Sequence, residues 1–196
     1  MRNAHLMTAA LVAVLPAILA APAAQAESYI FHPRKTEVRF SYMMGLLTQR
    51  GRFSRVEGSL QYDERAPENS KVVAKIATAS VETGQPIVDD ELKGVNFFNA
   101  KAAPELTFRS RSVKPTAANT AEIMGDITVN GVTKPVTLAV TVTPHDDPAL
   151  KYSAGSKKFV AKTTISRSAF NMTSYADMVG DEIGIEIDAV VRPQQK

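Results

Sequence analysis

Alternation of apolar and polar residues with a period of two is the feature that most restricts what this chain can fold into. Val38, Phe40 and Tyr42 alternate with Arg39, Ser41 and Met43, and Leu106 and Phe108 with Thr107 and Arg109. Leu138, Val140 and Val142 alternate with Ala139, Thr141 and Thr143, and Ile183, Ile185 and Ile187 with Gly184, Glu186 and Asp188. Successive side chains of a strand point to opposite faces, so this pattern marks antiparallel strands with one buried face. Residue usage agrees. From Glu27 onward Val (17), Ile (9) and Thr (15) far outnumber Leu (7), and β-branched side chains pack well on a pleated surface.

The pattern predicts eight strand regions, at about 28–43, 49–62, 71–79, 104–113, 121–130, 132–143, 157–167 and 182–192. Asn130-Gly131 falls between two of them, and both residues tolerate the positive φ that a type I′ hairpin turn requires. One helix is expected, at Pro86–Lys93, between the third and fourth strands. Pro86 suits its first turn, Asp89, Asp90 and Glu91 lie early where the helix dipole favours anions, and Gly94 can cap its end. Asp146-Asp147-Pro148 and Ala169–Asp181 read as loops. The expected fold is all-β, an eight-stranded antiparallel barrel, because closure removes exposed strand edges. A sandwich satisfies the same pattern. A barrel of this size either fills with side chains or encloses one small ligand.

Residues 1–26 read differently. Arg2 and His5 give a basic start, Ala9 to Ala24 is uncharged and mostly apolar, and Ala24-Gln25-Ala26 is a small-x-small cleavage site. This is the pattern of a secretory signal peptide cleaved after Ala26. The run is too short, too rich in alanine and too broken by Pro16 and Pro22 for a membrane span. The remaining 170 residues, 27–196, suit one domain and carry a net charge of +2. That balance, with no basic block, gives little support for nucleic acid as a partner. No later segment is apolar enough to cross a membrane as a helix. Absence of cysteine excludes disulfides, thiolate metal sites and thiol nucleophiles. The expectation is an exported, soluble protein, periplasmic or secreted.

Catalytic signatures are missing. His32 and His145 are the histidines after the leader, and no spacing resembles a metal-ligand motif, so neither metal nor cofactor is expected. No Gly-x-Ser-x-Gly elbow, P-loop or dinucleotide fingerprint occurs. Asn171-Met172-Thr173 matches a glycosylation sequon, a short motif that carries little by itself.

Several segments, in order, carry a resemblance to a family. They are Arg50-Gly51-Arg52-Phe53, Val81-Glu82-Thr83-Gly84, Asp90-Glu91-Leu92-Lys93, Asn96-Phe97-Phe98-Asn99 and Pro104-Glu105-Leu106-Thr107-Phe108-Arg109-Ser110. Gly125-Asp126-Ile127-Thr128-Val129-Asn130-Gly131-Val132-Thr133-Lys134-Pro135-Val136 and Ser166-Arg167-Ser168-Ala169-Phe170 follow. In this arrangement the chain resembles the YceI-like family of exported bacterial proteins over nearly all of 27–196. The resemblance implies a lipocalin-like barrel whose apolar interior holds a polyisoprenoid or similar long-chain lipid, a periplasmic or secreted location, and a homodimer in many members. The chain departs from the family at three places. His32-Pro33-Arg34-Lys35-Thr36 replaces an Asp-Pro-x-His-Ser start, Met44 falls near a further family histidine, and Asn171 stands where the family has glycine. If those histidines help hold a polar head group, this chain holds it differently or prefers another ligand.

On this reading Phe40, Tyr42, Phe97, Phe98, Leu106, Phe108, Leu138, Val140 and Phe170 are the candidates for a lipid cavity, with Phe159 in the same aromatic set. For any one of them ordinary core packing is the commoner role. Arg50 and Arg52, with Arg55 nearby, are head-group candidates because Arg suits bidentate recognition of phosphate or carboxylate, although a solvated outer wall explains them more simply. The expected function is non-catalytic lipid binding for transport or storage. The alternative is a ligand-free, filled barrel acting as a periplasmic stress-response or interaction protein. A lipid hydrolase has no nucleophile motif in its favour.

Overall fold

The computed structural model describes residues 26–143 and 155–194. The leader before Ala26 and the stretch His145-Asp146-Asp147-Pro148 therefore lie outside the described residues. The strands are β1 (Glu27–Phe31), β2 (Glu37–Met44), β3 (Leu47–Phe53), β4 (Val56–Tyr62), β5 (Lys71–Ala77) and β6 (Val81–Glu82). The helix α1 (Pro86–Lys93) follows, then β7 (Glu105–Ala117), β8 (Thr120–Val129), β9 (Val132–Thr143), β10 (Lys157–Ser166) and β11 (Val179–Pro193). Hydrogen-bonded neighbours run β1-β4-β5-β7-β8-β9-β10-β11 and return to β1, which closes an eight-stranded antiparallel barrel. β2 continues the wall along β11, β3 pairs along β2, and β6 pairs with the last two residues of β3.

All eight expected regions are present, but two are divided by corners that alternation does not reveal. The first breaks at 32–36, where Pro33 lacks an N–H. There Thr36 Oγ1 donates to Val190 O at 3.0 Å and accepts from Val190 N at 3.2 Å, replacing a ladder partner. The second breaks at Ser54-Arg55, whose backbone N–H groups turn to Ser80 O and Ser80 Oγ, both at 3.2 Å. β7 runs on to Ala117, past the expected end at 113, and a bulge between Ser110 and Ser112 inserts Arg111. The extra residue flips the parity, so Val113, Pro115 and Ala117 take over the inner face from Leu106 and Phe108.

Three local expectations hold. Asn130 and Gly131 have φ of +48° and +74°, as a type I′ turn requires, and join Val129 to Val132 in register. The helix α1 begins at Pro86, and Asp89 accepts hydrogen bonds from the Thr83 N–H and hydroxyl, both at 2.6 Å. Gly94 closes the helix with φ of −68°, not in the left-handed region, its N–H donating to Glu91 O at 3.0 Å. Leu92, and Phe97 just beyond the helix, pack with Phe53, Val81, Leu106 and Val129, so this segment covers part of one end of the barrel. Tyr29, Leu60 and Val191 form a separate cluster toward the other end.

The outer wall at β2 and β11 carries a network of ion pairs. Arg39 reaches Glu37 and Glu186, each at 2.7 Å, and also Asp188, while Lys162 pairs with Glu186 at 3.2 Å. Hydrogen bonds from Arg39 and then Lys162 hold the Glu186 carboxyl below its ordinary value. At the end of β10, the Ser166 hydroxyl and then the Ser168 N–H do the same for Asp181.

Two predictions test this frame. Gly131 has no neighbour that an added Cβ would meet, so Gly131→Val costs only the strain of a β-branched residue at positive φ. The expected loss is roughly 1 kcal/mol or more, read as a lowered denaturation midpoint. The second concerns acid. A carboxylate depressed in the folded state contributes stability in full above its unfolded value, about 4.3 for Glu, and loses it as pH falls through the lower folded value. Stability should therefore decline below that pH, and Glu186→Gln should flatten part of the decline in a pH series of denaturation midpoints.

Candidate functional site: an apolar cavity within the barrel

A cavity of about 550 Å³ runs along the interior, lined almost wholly by hydrocarbon. Its size is within the range of small-molecule sites. Ile183, Ile185 and Ile187 line it from β11, yet all three remain half-buried. A filled core would bury them. The lining extends from Tyr62, Pro115 and Phe159 at one end to Phe53, Leu92 and Phe97 at the other. Met44, Ile87, Glu91, Tyr175 and Met178 line the part flanked by α1 and the β2–β3 turn, and Ile87 is 87% exposed there.

Glycines on neighbouring strands keep the lumen open. A Cβ on Gly51 would lie 2.3 Å from the Phe40 ring, and one on Gly125 would lie 2.6 Å from the Phe108 ring. Both rings therefore rest against bare backbone across the strand pair, Phe40 opposite Gly51 and Phe108 beside Gly125. Phe40 also packs on Phe53 at 5.6 Å and Phe98 at 6.2 Å between ring centres, and Phe53 on Phe98 at 5.2 Å. These edge-on and tilted contacts fix the aromatic end of the cavity.

The structure brings most of the sequence candidates together. Phe40, Tyr42, Phe97, Phe98, Leu106, Phe108, Leu138 and Val140 all line the cavity, as does Phe159. Phe170 does not. It is 2% exposed in the plug beside Met172, because the short turn Ser168–Phe170 ends at Asn171 with φ of +61° and tucks the ring beneath the barrel. Arg50 and Arg52 are also displaced from the expected head-group role. Phe53 and Gly51 face inward on β3, so the two arginines between and beside them face outward. Arg52 pairs with Glu82 at 3.0 Å and Glu37 at 3.7 Å on the outer wall, and Arg50 lies in a shallow outer groove with Lys162 and Glu186. Arg55 is exposed. Thr107, of outward parity, still touches the cavity.

Arg167 is the polar group that reasoning from sequence missed. It was visible only as part of Ser166-Arg167-Ser168-Ala169-Phe170. Its side chain lines the cavity and is buried, at 4% exposure, with no carboxylate in ion-pair contact among the described residues. Backbone carbonyls surround it instead. Nε donates to Gly180 O at 3.1 Å, one terminal nitrogen to Met172 O at 2.5 Å and Ser174 O at 2.8 Å, and the other to Val179 O at 2.9 Å. The Met172 and Ser174 carbonyls belong to the loop that carries Tyr175 and Met178 to the cavity, and those of Val179 and Gly180 to the start of β11. The remaining polarity is neutral or peripheral. Burial holds the Tyr42 hydroxyl above its ordinary pKa, and burial together with the Glu64 charge does the same for Tyr62. His32 sits in the turn between β1 and β2, its Nδ1 accepting from Arg34 N at 3.3 Å, and does not line the cavity. Among the described residues no group of acidic, histidine or cysteine side chains is placed to hold a metal ion, and no helix is long and apolar enough to cross a membrane.

A closed antiparallel barrel around an apolar cavity, with its polar groups engaged in holding the wall, is a lipocalin-like architecture. The YceI-like domain matches residues 29–191, and the chain belongs to that family. It is 39% identical to a UPF0312 protein of Ectopseudomonas mendocina, over 63% of this chain and 63% of that one, so the match spans a little under two thirds of the relative. Among solved structures, Burkholderia cenocepacia BcnA superposes with a TM-score of 0.74 at 24% identity, covering 82% of this chain and 98% of that one. A polyisoprenoid binding domain from Saccharophagus degradans superposes with a TM-score of 0.65 at 11% identity, over 86% of this chain and 99% of that one. At those identities both show the shared fold.

The glycine–ring contacts yield a prediction. In Gly51→Ala the added methyl meets only the Phe40 ring, which must swing toward the lumen. The variant should stay folded, lose about 1–3 kcal/mol of stability, and take up less of an apolar fluorescent probe than the parent. Equal uptake would mean that the ring does not control the free volume.

Proposed function

We propose that this chain is an exported, non-catalytic lipid-binding protein. It holds one long apolar tail, polyisoprenoid or similar, in the barrel cavity for transport or storage. The observation that carries the reading is the open hydrocarbon lumen, with β11 isoleucines that face inward and remain half-exposed. Such a site offers contact area and little chemistry. Each CH₂ buried contributes about 0.8 kcal/mol, so a tail with about ten buried groups gains about 8 kcal/mol before the cost of association. The Saccharophagus degradans neighbour, named as polyisoprenoid binding, supports the ligand class. Export rests on the basic start, the apolar run and Ala24-Gln25-Ala26. Cleavage after Ala26 would leave the barrel whole, since Glu27 is the first residue of β1.

Solvent extraction of the purified protein followed by mass spectrometry tests the reading directly, and a pair of variants ties the result to the cavity. Phe108 lines the lumen, whereas Thr137 is exposed beside Leu138. A carboxylate placed against an apolar tail loses its hydration without gaining a partner. Phe108→Asp should therefore fold, as judged by circular dichroism, yet retain no lipid, while Thr137→Asp retains as much as the parent. Equal lipid in both variants, or none in the parent, would overturn the assignment.

A further inference from the structure

Exposed hydrocarbon clusters at the α1 end of the barrel, where some of the exposed side chains also line the cavity. The β2–β3 tip carries Leu46 and Leu47, 95% and 67% exposed, the loop before β11 carries Tyr175 and Met178, and α1 carries Ile87. These elements are tied together. Gly45 N donates to Met178 O at 2.9 Å. Tyr175 stacks on Phe97 with 6.0 Å between ring centres, and its hydroxyl donates to Glu91 at 3.3 Å. Tyr175 also has φ of +58°, a conformation that an aromatic residue adopts only when its surroundings impose it. Ile87, Tyr175 and Met178 belong both to this rim and to the cavity wall. Hydrocarbon surface thus runs unbroken from solvent into the lumen.

Deepening the lipid-binding reading, on which it rests, we propose that this rim inserts into the surface of a lipid bilayer and that the cavity exchanges its ligand there. Three observations favour a bilayer over a protein partner. The rim shares Ile87, Tyr175 and Met178 with the cavity wall, so a protein face seated on it would cover the cavity there, whereas a bilayer covers the rim and also supplies the tail. The continuous apolar path lets a tail pass without exposing its methylenes to water. The charges on these elements are mixed in sign, with Asp89, Asp90, Glu91 and Lys93 on α1, Asp177 in the loop and Arg50 on β3. Contact therefore depends on apolar burial and not on attraction to anionic head groups, and Tyr175, an apolar ring with a polar tip, suits the head-group level.

Flotation of the purified protein with phosphatidylcholine vesicles tests this, alongside uptake of a polyprenol from detergent. The parent should float with the vesicles at low and at high salt. Leu46→Glu, at a side chain that does not line the cavity, should lower the bound fraction about tenfold, since binding scales with buried apolar area, while taking up polyprenol as the parent does. Met124→Glu, on the exposed outer wall of β8, should float like the parent. A parent that takes up polyprenol but does not float, or a Leu46→Glu protein that floats equally well, would overturn the docking proposal alone. A parent that fails to float and sediments as a dimer, which Leu46→Glu splits, would overturn it in favour of a second copy on the rim. A folded parent that takes up no polyprenol would overturn the lipid-binding reading and the docking with it.

Discussion

The short ladder between β1 and β11 is the constraint on which the rest depends. Tyr29, Ile30 and Phe31 pair with Pro193, Arg192 and Val191, and that contact converts a curved sheet into a closed wall. Backbone groups throughout the circuit are then satisfied by neighbouring strands, so the wall needs no filled interior to account for its polar atoms. Packing gathers in three clusters: around Leu92, Phe97 and Phe170, along the wall at Phe108, Leu138, Val140 and Ala161, and at Tyr29, Leu60 and Val191. An apolar cavity remains among them.

Most of this wall was legible in the sequence because closure and alternation are the same physical statement. A residue on the inner face of one strand has its inner-facing neighbour opposite, and period two records it. What alternation did not show were the places where hydrogen bonding changes while polarity does not. Thr36 lies in a polar stretch and Ser80 between Ala79 and Val81, and only the fold reveals that their hydroxyls stand in for ladder partners. The Arg111 bulge shows in the sequence only as a shift of the apolar positions by one residue, from Leu106 and Phe108 to Val113.

The candidate site divides along the same line. Cavity residues such as Phe108, Leu138 and Val140 were found because they sit on alternating strands. Phe170 was misplaced because it lies on a short turn, where no periodicity says which way a ring points. Arg50 and Arg52 were named for what arginine can bind, yet their parity relative to Phe53 already set them outside. A guanidinium serves a buried ligand only if the strand register aims it inward.

Arg167 shows why a cation is nevertheless kept at the cavity. Burying a charge costs several kcal/mol, and each charge-assisted bond to a carbonyl returns about 1.5–3 kcal/mol, so the arrangement is close to neutral in stability. Its effect is geometric. Rigid guanidinium donors reach carbonyls from Met172 to Gly180, and lysine, with a single ammonium, has no equivalent fork. The loop so held carries Tyr175 in its left-handed conformation and Met178 against Gly45. A rim of exposed hydrocarbon on a loose loop would collapse onto the mouth to escape water. Arg167 anchors that loop from within and holds Tyr175 and Met178 at the cavity wall.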